Sequence, residues 1–202
     1  MLSQFWSNMP DIAAEGKRDV NCEISVALVR HPRPEVPPGI CYGRLDLALH
    51  KDAPAQIEAA VHVLRSFAPA CIWSSPALRC QAMARALAQA HAAPLHHDAR
   101  LQEMDFGAWE GLPWNDVPRN ALDLWAANPL AFAAPGGESG AELMARISAF
   151  HRDIVARGQS CVVVAHGGPL KLLRPLLLGA PVNLMTPSMP IGGVEIITVP
   201  AG

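Results

Sequence analysis

Two hundred and two residues are enough for one ordinary domain of about 100–200 residues. Half of them are hydrophobic and only 17% are charged, which provides for a sizeable core and excludes general disorder. A formal net charge of −2 gives no electrostatic reason to expect nucleic acid or an anionic membrane as partner, and no apolar run approaches the roughly 18–20 residues that span a bilayer.

Residues 1–22 carry no sustained periodicity and read as a flexible N-terminal extension, ordered only if Phe5 and Trp6 find a groove. Asp11 and Glu15 fall where a secretory core would be. Residues 23–202 read as one domain. Ile24–Val29 is a short β-favouring run ending at Arg30, in the pattern of a buried strand. Pro32, Pro34, Pro37, Pro38 and Gly39 then make residues 31–45 a loop. Gln56–Phe67 has apolar residues at helical spacing, closed by Pro69, and Cys71–Ser74 is a second strand. Ser75-Pro76 predicts a helix start, a hydroxyl N-cap before proline at the first helical position. That helix runs through the alanine-rich stretch to Ala90.

Residues 98–137 are rich in Trp, Pro and Gly and predict short helices near 113–127, forming a helical lid or insertion. Glu138–Arg157 is a second long helical pattern. The glycines before it, Gly136 and Gly137, lack the lysine of a phosphate loop and read as a loop with a helix cap. Cys161–Ala165 is the strongest strand; Gly167-Gly168-Pro169 opens a helix to Leu178, and Val194–Val199 is the last strand. Strands alternating with helices predict an α/β three-layer sandwich, a mostly parallel central sheet flanked by helices.

In such a sheet ligands bind beyond the carboxyl ends of the strands. Three strand ends bring chemistry there: Arg30-His31, Ser74-Ser75 with Arg79, and His166-Gly167-Gly168. Two imidazoles and two guanidiniums make an anion site, since the arginine fork matches phosphoryl oxygens and helix N-termini add backbone donors. The same arginines would repel a divalent cation, so no metal is expected. His96-His97 reads as an edge-strand or turn pair, with no third ligand at metal spacing. The five cysteines, Cys22, Cys41, Cys71, Cys80 and Cys161, are odd in number and show no CxxC spacing, which fits a reducing cytoplasm.

Arg30-His31 after a strand, Ser74-Ser75-Pro76-x-x-Arg79, Leu101-x-Glu103 and His166-Gly167-Gly168, in that order, resemble the histidine phosphatase superfamily, the phosphoglycerate-mutase-like fold. Phe106-Gly107-Ala108-Trp109-Glu110-Gly111 is similar to its phosphatase branch. Cys41-Tyr42-Gly43-Arg44-Leu45-Asp46 and Pro135-Gly136-Gly137-Glu138-Ser139 look closest to α-ribazole phosphatases, enzymes of cobalamin assembly.

The resemblance implies phosphomonoester hydrolysis through a phosphohistidine on His31. Arg30, Arg79 and His166 would hold the phosphoryl oxygens, with Gly167 in the phosphate site, and Glu103 would serve as proton donor and then base. Asp105, two residues on, competes with Glu103 for that role. Arg44 either binds substrate or pairs with Asp46. The partner implied is a small phosphorylated metabolite, and no cofactor is required.

Two positions depart from the family pattern. Pro32 stands where a glycine usually follows the histidine, and Pro37 where an asparagine helps hold phosphate; Arg33 then reads either as a third phosphate-binding cation or as a solvated side chain. Rival readings are a phosphoglycerate mutase or sugar-phosphate phosphatase, and a phosphate-binding regulatory protein disabled by Pro32. Trp109, Trp114 and Trp125 line a lid over the leaving group or form ordinary core. An exposed apolar face on the Leu170–Leu178 helix would make a homodimer; a buried one would be core.

Overall fold

The structure, a computed structural model, describes residues 23–200. The N-terminal extension, with Phe5, Trp6 and Cys22, lies outside the described residues.

One five-stranded sheet runs in the order β3-β2-β4-β1-β5, with β1 Glu23–Arg30, β2 Cys71–Ser74, β3 Leu95–His97, β4 Cys161–Ala165 and β5 Val194–Pro200. All pairs are parallel except β1 with β5. Strand alternation sorts the core into two layers. Val26 and Leu28 face the helices α4 (Gly140–Ala156) and α5 (Gly167–Leu177) through Leu143, Ile147, Phe150, Leu170 and Leu173. Ala27 and Val29 face α1 (Ala53–Val63) and α2 (Leu78–His91) through Ala60, Met83 and Leu87. The Leu170, Leu172, Leu173 and Leu177 face of α5 is buried, so it is core and offers no dimer surface.

Register places the chemistry. Arg30 pairs with Ala165 and Ser74 with Val164, so three strands end together. The ladder continues past them: the His31 amide donates to the Ala165 carbonyl and the Ser75 amide to the Val164 carbonyl, both at 3.0 Å. Residues 98–137 hold single helical turns at Ala99–Leu101, Gly107–Trp109 and Trp114–Asp116, and the helix α3 (Arg119–Ala127). They pack a small third cluster around Trp109, Val117 and Cys41.

Three helix boundaries differ from the sequence reading. α1 starts at Ala53 because Pro54 fits its first turn. It ends at Val63, and Leu64 and Phe67 reach the same core layer from a turn rather than from helix. α2 starts at Leu78, with Ala77 at the N-cap position. Asp46 Oδ1 accepts from the Leu78 amide at 2.9 Å, so a distant loop supplies the cap assigned to Ser75. α4 carries the cap its sequence announces, a reciprocal box between Ser139 and Glu142.

Candidate active site

His31 is fully buried at the end of β1. Its Nδ1 donates to the Pro32 carbonyl at 2.8 Å, while Nε2 is buried without a partner among the described residues. Burial pushes its pKa down to about 3, assisted by Arg79 and Arg30 against the opposing hydrogen bond. The ring is therefore neutral, with its proton fixed on Nδ1 and a free lone pair on Nε2. Pro32 takes part in this arrangement. It loses an amide donor, but the function required at this point is a carbonyl acceptor on a backbone of fixed φ.

His166 follows β4, fully buried, its ring centroid 5.1 Å from that of His31. Burial, then His31 and the arginines, hold it well below the ordinary histidine range. Its Nε2 lies 2.8 Å from Ser75 Oγ. That hydroxyl is only 3.4 Å from the Ala77 amide, so its stronger bond goes to the imidazole rather than to a helix end.

Arg79 projects from the first turn of α2 and is fully buried. Its Nη1 and Nη2 donate to the carbonyls of Leu45 at 2.7 Å and Gly43 at 2.6 Å, and its Cζ lies 5.3 Å from the Tyr42 ring centroid. Arg30 is half-buried against Gly167, and its Nη1 donates to the Met189 carbonyl at 2.5 Å. A side chain at Gly167 would crowd that guanidinium, at 3.2 Å from Cζ. Among the described residues neither arginine has a carboxylate within 4.0 Å, and both Nε groups are buried without partners. Two such cations beside two neutral imidazoles make an arrangement suited to binding an anion.

Glu103 occupies the irregular stretch after the Ala99–Leu101 turn. Its Oε1 accepts from the amides of Met104 at 2.9 Å and Gly168 at 3.1 Å. Burial raises its pKa against the pull of those bonds and of Arg30 and Arg79. A carboxyl that holds its proton above the usual range, beside an anion site, is suited to proton donation. Asp105 is committed elsewhere: it accepts from the Gly107 amide at 2.8 Å and pairs with Arg44 at 3.2 Å.

Beside this centre opens a cavity of about 260 Å³, lined at one end by Arg30, Glu103, Gly167 and Gly168 and at the other by Phe106, Trp114 and Trp125. His31, Arg79 and His166 lie behind that end with zero exposure. Trp109 is core, 4% exposed, so the tryptophans divide between the two roles their sequence allowed. Trp114 and Trp125 are near-parallel, at 11°, with Phe106 edge-on to both.

Two of the candidate cations lie away from this centre. Arg33 is not brought to the centre: it is exposed, with Nη1 3.8 Å from Asp52, and lines a separate surface hollow with Pro34 and Pro37. Arg44 pairs with Asp105 and Glu138, both at 3.2 Å, rather than with Asp46. Asp46 is engaged at the start of α2 instead.

Ser75, which reads in sequence as a helix cap, lies against His166, Tyr42 lies against Arg79, and Lys171 carries no role in the sequence reading. Lys171 is half-buried in the cavity wall, its Nζ donates to the Leu184 carbonyl at 3.0 Å, and burial lowers its pKa. Its position five residues after His166 on an amphipathic helix was the one available signal.

Fold and site together define a phosphatase. The chain belongs to the histidine phosphatase superfamily (branch 1), whose family model matches residues 26–199. It is 30% identical over 170 residues to the glucosyl-3-phosphoglycerate phosphatase of Mycolicibacterium vanbaalenii, covering 78% of this chain and 76% of that one. It is 29% identical over 162 residues to phosphoserine phosphatase 1 of Hydrogenobacter thermophilus, covering 77% of each. The solved α-ribazole phosphatase from Shigella flexneri shares the fold, with a TM-score of 0.77 over 86% of this chain and 89% of that one at 22% identity. No helix of the described residues is long and apolar enough to cross a membrane.

Proposed function

We propose that the protein hydrolyses a small phosphomonoester through a phosphohistidine on His31, without a metal or organic cofactor. The observation that carries this is the Nε2 of His31, buried and unpartnered among the described residues, its lone pair fixed by the Nδ1 bond to Pro32. Nε2 attacks phosphorus and forms the P–N bond as the ester P–O bond breaks. Glu103 gives its proton to the departing alkoxide, then takes one from the water that cleaves the P–N bond, which returns the lone pair to His31 and releases inorganic phosphate. Arg30 and Arg79 hold the phosphoryl oxygens through both transfers. Ser75 Oγ and His166 Nε2 share a hydrogen bond at 2.8 Å; with the hydroxyl as donor, the imidazole keeps its proton on Nδ1 and would serve a further phosphoryl oxygen. The rival reading, a binder disabled by Pro32, is disfavoured because the Pro32 carbonyl orients the nucleophile.

The leaving group occupies the chamber in which Phe106, Trp114 and Trp125 present apolar aromatic surface, with the 98–137 segment as its lid. That surface fits a flat ring, and α-ribazole 5′-phosphate is the proposed substrate, a role in cobalamin assembly; the free Cys41, Cys71, Cys80 and Cys161 support a reducing, cytoplasmic location. A second reading rests on Lys171: a half-buried ammonium in the same wall would hold a carboxylate on the leaving group, as in phosphoserine or 3-phosphoglycerate.

Hydrolysis of a phosphomonoester panel with chelator present tests both readings. The panel holds α-ribazole phosphate, phosphoserine, 3-phosphoglycerate, mononucleotides, sugar phosphates and an aryl phosphate. Preference for ring-bearing esters that Trp114→Ala weakens supports the first reading. Preference for carboxylated esters that Lys171→Met weakens supports the second. No phosphate release from any member refutes the phosphatase reading.

A further inference from the structure

Glu103 sits between two single helical turns, on backbone that no helix or strand fixes. A carboxyl that must meet the leaving oxygen within a fraction of an ångström needs that backbone held by other means. Two guanidiniums from distant parts of the chain converge on it. Arg146, in the middle of α4, donates from Nη2 to the Glu103 carbonyl at 3.1 Å and from Nη1 to the Gln102 carbonyl at 2.7 Å, and Nη1 also bonds the Arg100 carbonyl. Arg44, from the loop that also receives Arg79, donates from Nε to the same Glu103 carbonyl at 3.3 Å.

Glu138 ties the two together. Its Oε1 lies 2.5 Å from Arg146 Nη2, and its Oε2 lies 3.1 Å from Arg146 Nε and 3.2 Å from Arg44 Nη2. The same carboxylate accepts from the Asp105 amide at 3.1 Å, and the Glu138 amide donates to the Asp105 carbonyl at 2.9 Å. The Arg146–Glu138 pair is largely buried, with side-chain exposures of 15% and 12%. An exposed ion pair contributes little, but here the planar fork of Arg146 serves three carbonyls and a carboxylate at once, a task one ammonium cannot perform.

We propose that Arg146 and Arg44, joined through Glu138, are positioning residues that hold the Glu103 backbone so that its carboxyl meets the leaving oxygen. The proposal rests on the reading of Glu103 as proton donor. It gives the glutamate of Pro135-Gly136-Gly137-Glu138-Ser139 a task distinct from the helix cap beside it, and it replaces substrate binding as the role of Arg44.

The test separates proton donation from general damage by leaving-group chemistry. An aryl phosphate departs as a stabilised phenolate that needs no proton, whereas an alkyl phosphate does need one. Arg146→Met is expected to lower kcat/KM for an alkyl phosphate about 100-fold while an aryl phosphate stays within about threefold, with Arg146→Lys between. In a Glu103→Gln background the same substitution is expected to add less than about threefold, because its effect passes through that carboxyl. Glu103→Gln alone showing no leaving-group dependence overturns the reading of Glu103. Dependence in Glu103→Gln but equal losses on both esters in Arg146→Met, or no loss, overturns the positioning proposal. If Arg146→Met does not fold, Arg44→Met, whose side chain is one-third exposed, is read against the same outcomes.

Discussion

The Gly168 amide donates to both carboxylate oxygens of Glu103, at 3.1 and 3.3 Å, and a Cβ on Gly168 would overlap Oε1. The second glycine after His166 is thus needed for close approach, not for a left-handed backbone. Gly168→Ala is expected to push the carboxyl aside and cut kcat/KM for an alkyl phosphate about 10- to 100-fold, with the circular dichroism spectrum unchanged. Activity within twofold of wild type would mean that Glu103 acts from another position.

The raised pKa of Glu103 fixes the sense of one pH dependence. The donor form is protonated, so kcat/KM for alkyl esters falls as pH rises through that pKa. Glu103→Gln is expected to lose about 10²–10⁴-fold on alkyl esters and to lose this alkaline limb. A limb that survives the substitution belongs to a different group.

His31 and His166 are both buried neutral, with folded pKa values below the 6.5 of the unfolded chain. The unfolded state therefore binds more protons in acid. The stability they contribute is complete above pH 6.5 and drains away as pH falls from there toward about 3, the folded value of His31. For His31 alone this amounts to roughly 3 kcal/mol at pH 4. Urea midpoints for wild type and His31→Gln, compared at pH 4.5 and 7, are expected to show a shallower acid loss in the variant. Equal slopes would indicate that His31 is solvated in the native protein.

Arg79 is a buried cation bonded only to neutral carbonyls among the described residues. An anion that completes its environment stabilises the native state by mass action, about 2.7 kcal/mol at a hundredfold excess over Kd. Inorganic phosphate is expected to raise Tm in wild type and to have no effect on Arg79→Met, whose starting Tm is also lower because the Gly43 and Leu45 carbonyls lose their donor. An equal shift in both proteins would place phosphate elsewhere.

What the sequence revealed was whatever depends on adjacency. Strand β1 runs straight into Arg30-His31 and β4 into His166-Gly167, so parallel register alone brings those residues together. What it could not reveal are partners set by loops folding back. Ser75-Pro76 carries the local signature of a helix start, yet a long-range bond to His166, 91 positions away, takes the hydroxyl and Asp46 supplies the cap. Arg44 has an acid two residues on in sequence, but its partners, Asp105 and Glu138, come from the 98–137 segment and the loop before α4. Arg33 has the charge for a phosphate site, but the proline-rich loop turns it toward Asp52.

A covalent intermediate on His31 can be trapped by rapid acid-free quenching of the enzyme with a radiolabelled phosphomonoester. Label is expected on protein, stable in base, released in acid, mapped to the peptide containing His31 and lost in His31→Ala. Turnover by the wild type with no trapped label under single-turnover conditions, or label and turnover persisting in His31→Ala, would contradict it.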